Sequence, residues 1–242
     1  MEMFGMTDKG NVRLDNQDAF AFEMINGAAV LAVCDGMGGE RGGEIASAIA
    51  LQSFMETVRT ELDGEATLTK ILEKAAKSAN YDVYERAMTD PSCRGMGTTL
   101  VGAIVKDGAM AIINVGDSRA YLLSDGMLLR KVTRDHSIVE DMVEFGALTR
   151  EEARTHPRRN IITRVIGAMD FVECDLFTPE FSVGDSVLLC SDGLTGELRD
   201  SEILAVMTAE STAKDMCARL METALERVAS DNVTVAILMN KH

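Results

Sequence analysis

Two Asp-Gly pairs, Asp107-Gly108 and Asp125-Gly126, each sit between two runs of strand-forming residues. A two-residue connection of this kind needs positive φ at both positions, which Asp and Gly tolerate, and it folds a strand back onto its neighbour. Residues 98–105 and 109–115 are therefore predicted to pair antiparallel, and so are 119–123 and 127–132. Helical spacing of apolar residues appears on either side of this meander. Residues 44–62 carry Ile45, Ile49, Phe54, Met55, Val58 and Leu62; residues 66–88 carry Leu68, Ile71, Leu72, Ala75, Ala79 and Val83. A short helix is predicted over 137–145, ended by Gly146. Thr149 with Glu152 fits a capping box opening another, and 156–160 reads as an exposed loop. Further helices are expected at 201–207 and 212–228. Short strands fill the first part of the chain and the stretch up to 192, and the last strand is 233–238. Strands and helices do not alternate as βαβ units require. The expected fold is α+β, with mainly antiparallel sheet in two layers and helices packed outside.

The chain has 242 residues and is 46% hydrophobic, enough for a substantial core in one large domain or two small ones. No apolar stretch is long enough to span a bilayer, and the N-terminus lacks the basic-then-apolar pattern of a signal peptide. Five scattered cysteines form no C-x-x-C pair, and Cys34 and Cys190 lie inside apolar runs. They read as reduced, mostly buried thiols of a cytoplasmic protein. The formal charge of −15 argues against nucleic acid as a main partner, because phosphate backbones select Lys and Arg surfaces. It suits cation binding, and equally suits simple solubility.

Carboxylates recur at strand ends. The run Val30-Leu31-Ala32-Val33-Cys34 leads to Asp35-Gly36, and Val187-Leu188-Leu189-Cys190-Ser191 leads to Asp192-Gly193. A third run, Ala111 to Val115, leads to Gly116-Asp117-Ser118, and Asp231 immediately precedes the last strand. One such Asp-Gly is ordinarily a turn. Several of them at rigid strand ends can bring carboxylates together, and hard divalent cations favour clustered carboxylate oxygens. If these carboxylates meet, their repulsion in a low dielectric calls for a neutralising metal. A glycine beside such a ligand lets a backbone carbonyl approach closely.

Other chemistries fit poorly. There is no G-x-x-x-x-G-K-[ST] loop, and Gly36-Met37-Gly38-Gly39-Glu40-Arg41 fails G-x-G-x-x-G at its last position. Cys34 and Arg41 are one residue too far apart for a C-x5-R phosphatase loop. The three histidines, His136, His156 and His242, show no paired ligand spacing for zinc. His136, in Asp135-His136-Ser137, reads as part of a helix start rather than as a general base.

In order along the chain, several motifs resemble one family. They are Arg13-Leu14-Asp15-Asn16-Gln17-Asp18, Val33-Cys34-Asp35-Gly36-Met37-Gly38-Gly39, Gly97-Thr98-Thr99 and Asn114-Val115-Gly116-Asp117-Ser118-Arg119. Then come Thr133-Arg134-Asp135-His136-Ser137, Ser191-Asp192-Gly193-Leu194 and Ser230-Asp231-Asn232-Val233-Thr234. Each is modest alone; together the chain resembles, nearly end to end, the PP2C (PPM) metal-dependent Ser/Thr protein phosphatases in their compact bacterial form. The resemblance implies a four-layer α-β-β-α sandwich, a single domain over 1–242 with a flap near 146–160, and two Mn²⁺ or Mg²⁺ ions at one edge. It implies that Asp35 bridges both ions, that Asp192 and Asp231 hold the first, and that the Gly36 carbonyl helps hold the second. Asp117, with Asp192, would hold a possible third ion, Asp18 would orient water held by the metals, and Arg13 would clamp the substrate phosphate. A guanidinium suits that role because it meets two phosphate oxygens at once.

The resemblance also implies phosphoserine and phosphothreonine protein substrates, with a bacterial Ser/Thr protein kinase and its targets as partners and a monomer as the simplest state. Three positions depart from relatives. Met37 stands where animal members have a histidine proposed as general acid, Glu40 where bacterial members often have histidine, and Gln17 where animal members have glutamate. Within the flap, His156, Arg158 and Arg159 either meet substrate phosphate or acidic residues, or lie in a solvated loop. A metal-binding module without turnover is the reading from another class; Arg13, Asp35, Asp192 and Asp231, all present, argue against it.

Overall fold

The computed structural model describes residues 1–241, without the side chains of Glu40 and Arg41, so the position at which Glu40 departs from bacterial relatives falls outside the described side chains. Eleven strands form two sheets among these residues. One sheet runs in the order β1 (Glu2–Asp8), β11 (Val233–Met239), β10 (Ser186–Cys190), β7 (Arg119–Ser124), β8 (Leu128–Lys131). The other runs β2 (Asp18–Ile25), β3 (Ala28–Met37), β5 (Leu100–Lys106), β6 (Ala109–Val115), β9 (Asp175–Phe177), with the short β4 (Gly97–Thr98) paired to the end of β3. Every strand pairing is antiparallel.

Alternation along the central strands assigns each residue to a layer. Val30, Ala32 and Cys34 face the long helices α1 (Gly39–Glu61) and α2 (Leu68–Thr89), where they pack with Phe54, Val58 and Leu72. Their neighbours Ala29, Leu31 and Val33 face the other sheet and meet Leu122, Val187, Leu189 and Leu238. Beyond that sheet, Leu188, Cys190, Val235 and Ile237 pack on α5 (Asp192–Glu197), α6 (Asp200–Ala209) and α7 (Ala213–Leu225). The result is the expected four-layer sandwich, helices outside and two sheets within. Strands β3 and β10 are buried on both faces, which explains why 30–34 and 187–190 read as continuous apolar runs rather than alternating ones.

The Asp-Gly hairpins form where expected, with φ of 51° at both Asp107 and Asp125. Ser137 caps α3 (Ile138–Glu144), and Thr149 and Glu152 make the reciprocal capping box of α4 (Arg150–Thr155). Residues 157–160 are exposed. Several boundaries differ from the sequence reading. Helix α1 begins at Gly39, five positions before the expected 44, because the first turn is built of glycines that mask its periodicity. Strand β3 does not stop at Asp35 but continues to Met37, since Gly36 and Met37 pair with Thr98 and Gly97. Asp192 likewise opens α5 rather than a turn.

Candidate active site

All the singled-out carboxylates lie at one edge of the sandwich. Asp18 and Asp35 stand directly opposite each other across the β2–β3 ladder. Asp117 follows β6, Asp192 follows β10, and Asp231 precedes β11. Asp35, Asp117, Asp192 and Asp231 are half-buried, packed in protein but open on one side, whereas Asp18 is buried. Like charges opposite one another in a sheet are unfavourable, so this edge is costly for the fold and its cost has to be offset.

The electrostatics record that cost. Burial, with Asp18, Asp192, Asp117 and Asp231 adding to it, pushes the Asp35 carboxyl well above the usual range. Burial and Asp192 do the same to Asp117. Burial and Asp231 raise Asp192, against a hydrogen bond with Asp35 that lowers it. Burial raises Asp18 to about 7, although two hydroxyls donate to it.

Local hydrogen bonds hold each carboxylate-bearing segment. Thr99 Oγ1 accepts the Asp35 N–H at 2.9 Å, and the Thr99 N–H and Thr98 hydroxyl both donate to Asp35 O at 2.9 Å. Thr99 Oγ1 is also 2.7 Å from Ser118 Oγ, so the Asp35 strand and the Asp117 turn share one brace. Ser191 and Thr234 hydroxyls donate to Asp18 Oδ2 at 2.7 and 2.6 Å. Asn232 gathers the loop before β2: its Oδ1 accepts the Gln17 N–H at 2.8 Å, and its Nδ2 donates to Lys9 O and Asp15 O at 2.9 and 3.0 Å. That loop carries Arg13, whose Nη2 donates to Asp231 Oδ2, while the Asn232 N–H donates to Asp231 Oδ1 at 2.9 Å.

At Gly36 an added Cβ would lie 2.0 Å from Gly43 O and 2.6 Å from Gln17 O, so the start of α1 presses directly on the end of β3. Only glycine permits that approach. Met37 ends β3 beside it.

The donor set fits hard divalent cations. It is all carboxylate and carbonyl oxygen, the carboxylates raise one another's pKa, and Asp18 Oδ1 is a buried oxygen with no protein partner. Among the described residues no three Asp, Glu, His or Cys side chains are drawn into a finished cage. At Asp231 protein donors take both oxygens.

A cavity of about 670 Å³ opens beside Asp117 and Asp192 and runs beneath α4. Helix α4 is docked across it: Arg154 donates to Thr195 O and Gly196 O at 3.2 and 3.4 Å, and Arg199 pairs with Glu151 at 2.7 Å. Arg159 also lines this cavity, while His156 Nδ1 accepts the Arg158 N–H at 3.1 Å within the loop. The sequence reading missed the hydroxyl and amide braces. Thr98, Thr99, Ser191, Thr234 and Asn232 all stood inside motifs, but a hydroxyl or amide in a strand carries no pattern that distinguishes a brace from a packed side chain.

The protein phosphatase 2C family profile matches residues 11–232. The serine/threonine phosphatase Stp of Listeria monocytogenes is 35% identical over 235 residues, covering 96% of this chain and 93% of that protein. A crystal structure of a bacterial serine phosphatase superposes with a TM-score of 0.93 at 37% identity, covering 100% of this chain and 98% of that one. The catalytic domain of the phosphatase PstP in complex with two manganese ions superposes with a TM-score of 0.87 at 32% identity, covering 98% and 96%.

Proposed function

This chain belongs to the protein phosphatase 2C family and is a metal-dependent serine/threonine protein phosphatase, and from that premise we propose that the carboxylate edge of the sandwich is its active site. The observation that carries the proposal is the meeting of Asp18, Asp35, Asp117, Asp192 and Asp231 at one edge with Arg13 beside them. Asp35 would bridge two ions, Asp192 and Asp231 would hold the first, and the Gly36 carbonyl would help hold the second. Asp117 and Asp192 would hold a third. Mn²⁺ or Mg²⁺ suits these oxygen donors, and such ions, when bound, would lower the pKa of water and offset charge at the phosphoryl group.

The protein's own groups do the rest. Arg13 would leave Asp231 to receive two oxygens of the substrate phosphate, a fork geometry a lysine cannot match. Asp18, fixed through Oδ2 by Ser191 and Thr234, would use Oδ1 to accept a hydrogen bond from the attacking water and so orient it. The flap would border the approach of the phosphopeptide.

The proposed setting is a cytoplasmic, single-domain enzyme that reverses a bacterial Ser/Thr kinase. One chain carries every proposed site residue, so a monomer suffices. No helix among the described residues is long and apolar enough to cross a membrane. The deciding experiment measures phosphate release from a phosphothreonine peptide with Mn²⁺, with EDTA, and with Asp192→Ala. Loss of activity in the last two conditions supports the assignment; activity that survives EDTA overturns it.

A further inference from the structure

His136 is 3% exposed, yet nothing in the chemistry above uses it. Its Nδ1 accepts the Gly116 N–H at 3.0 Å. Its own backbone N–H donates to Gly116 O at 2.9 Å, and Asn114 Nδ2 donates to the same carbonyl at 3.1 Å. One residue thus holds both the N–H and the C=O of Gly116.

The tautomer follows. A neutral imidazole that accepts at Nδ1 carries its proton on Nε2. Both Asp175 Oδ2 and Arg164 Nη1 lie 3.1 Å from Nε2, and only the carboxylate can accept its proton. Arg164 in turn donates to Asp175 Oδ1 at 2.7 Å. Burial holds the imidazole below its ordinary pKa, which favours this neutral form. The arrangement looks like the acid–histidine pair of a hydrolase. Its third member, however, is a main-chain N–H, which is no nucleophile, so the pair orients rather than reacts.

What it orients is the turn that carries Asp117. Gly116 has φ +107°, and a Cβ there would lie 2.6 Å from Thr99 Cγ2. The turn is therefore confined by Thr99 on one side and gripped by His136 on the other. We propose that His136, aligned by Asp175, is a positioning residue for Asp117, setting the Gly116–Asp117 peptide so that the carboxylate joins Asp35 and Asp192. The proposal rests on the reading of Asp117 as an ion-holding residue. It also means that residues 116, 136 and 175, far apart in the chain, form one support for that ion.

The test compares His136→Ala, His136→Asn and Asp117→Ala. Asn places an oxygen near the position of Nδ1 and can still accept from Gly116. Three quantities are measured: Mn²⁺ equivalents bound by calorimetry, the Gly116 amide resonance, and kcat and KM on a phosphopeptide. His136→Ala is expected to move the Gly116 resonance and to weaken the weakest Mn²⁺ equivalent about tenfold or more, the usual cost of losing a ligand's support. It should lower kcat more than it raises KM. His136→Asn should restore the resonance and most of the Mn²⁺ affinity, and Asp117→Ala should lose the same equivalent. If Asp117→Ala loses it while His136→Ala keeps it, the inference is overturned and the site reading stands. If Asp117→Ala itself binds every equivalent, the reading of Asp117 fails and the inference with it. Should His136→Ala not fold, Asp175→Asn keeps the side-chain volume and should weaken the same equivalent; an unchanged equivalent there overturns the proposal.

Discussion

Arg13 Nη2 lies 2.8 Å from Asp231 Oδ2, so the residue proposed to receive substrate phosphate is paired with one proposed to hold an ion. The two side chains are 53% and 34% exposed, and an ion pair this open contributes only about 0–1 kcal/mol. Exchanging one partner for another is therefore cheap. Arg13→Ala is expected to raise KM for a phosphopeptide about tenfold or more, with a smaller change in kcat and a melting temperature within a few degrees of the parent. Arg13→Lys should recover part of the loss, because it keeps the charge without the fork. Steady-state kinetics check this, and an unchanged KM removes Arg13 from phosphate binding.

The carboxylate edge also sets a pH dependence of stability. A carboxyl whose folded-state pKa is raised stabilises the fold when protonated. That contribution is complete below its unfolded value near 4 and is lost as pH rises through the folded value, about 7 for Asp18. Asp35, Asp117 and Asp192 shift in the same direction. With EDTA, the melting temperature is expected to fall between pH 5 and pH 8. Mn²⁺ should raise it far more at pH 8 than at pH 5, by about 5–10 °C at a hundredfold excess over Kd. Scanning calorimetry decides; an EDTA melting temperature that rises steadily across this window would contradict the reading.

Thr234 donates to Asp18 Oδ2 from the middle of the sheet edge. Thr234→Val keeps the shape and removes the donor, leaving Ser191 as the only hydroxyl on that oxygen. A drop in kcat of about tenfold is expected, with KM little changed and a stability cost of about 1–2 kcal/mol. Denaturant titration and kinetics together separate the two effects, and an unaltered kcat would show that Asp18 needs no such alignment.

Arg154 fastens α4 to the C-terminal carbonyls of α5, the helix that begins with Asp192. Arg154→Ala frees that end of the flap while leaving the carboxylates untouched. The expected result is a change in KM for peptide substrates with little change for p-nitrophenyl phosphate, which is too small to reach the flap. Equal effects on both substrates would argue that α4 supports the site itself rather than bordering the peptide.

Much of this was legible in the chain, for identifiable reasons. The Asp107 and Asp125 hairpins announced themselves because their backbone geometry restricts residue choice. The capped helices at Ser137 and Thr149 did so for the same reason. The carboxylates were visible as strand ends, but their assignment to ions came from resemblance, since spacing alone does not show which ends meet. The start of α1 was hidden by its glycines. The extension of β3 past Asp35 depends on two residues of β4, more than sixty positions away in the chain. The His136–Asp175 pair left no local trace at all: the two are 39 positions apart, and neither belongs to a periodic pattern that includes the other.

The pairing of β1 with β11 has a consequence for synthesis. Glu2 lies opposite Met239 and Asp8 opposite Val233, so β1 waits for β11 before it is paired. Arg13 and Asp18 leave the ribosome more than two hundred residues before Asp231 and the strand that follows it. A contact this distant in sequence forms late. On the proposed site assignment a growing chain lacks an assembled centre until Asp231 has emerged, and a polypeptide cut before that residue is expected to release no phosphate from a phosphopeptide. Translation through β11 would then act as the licence for catalysis.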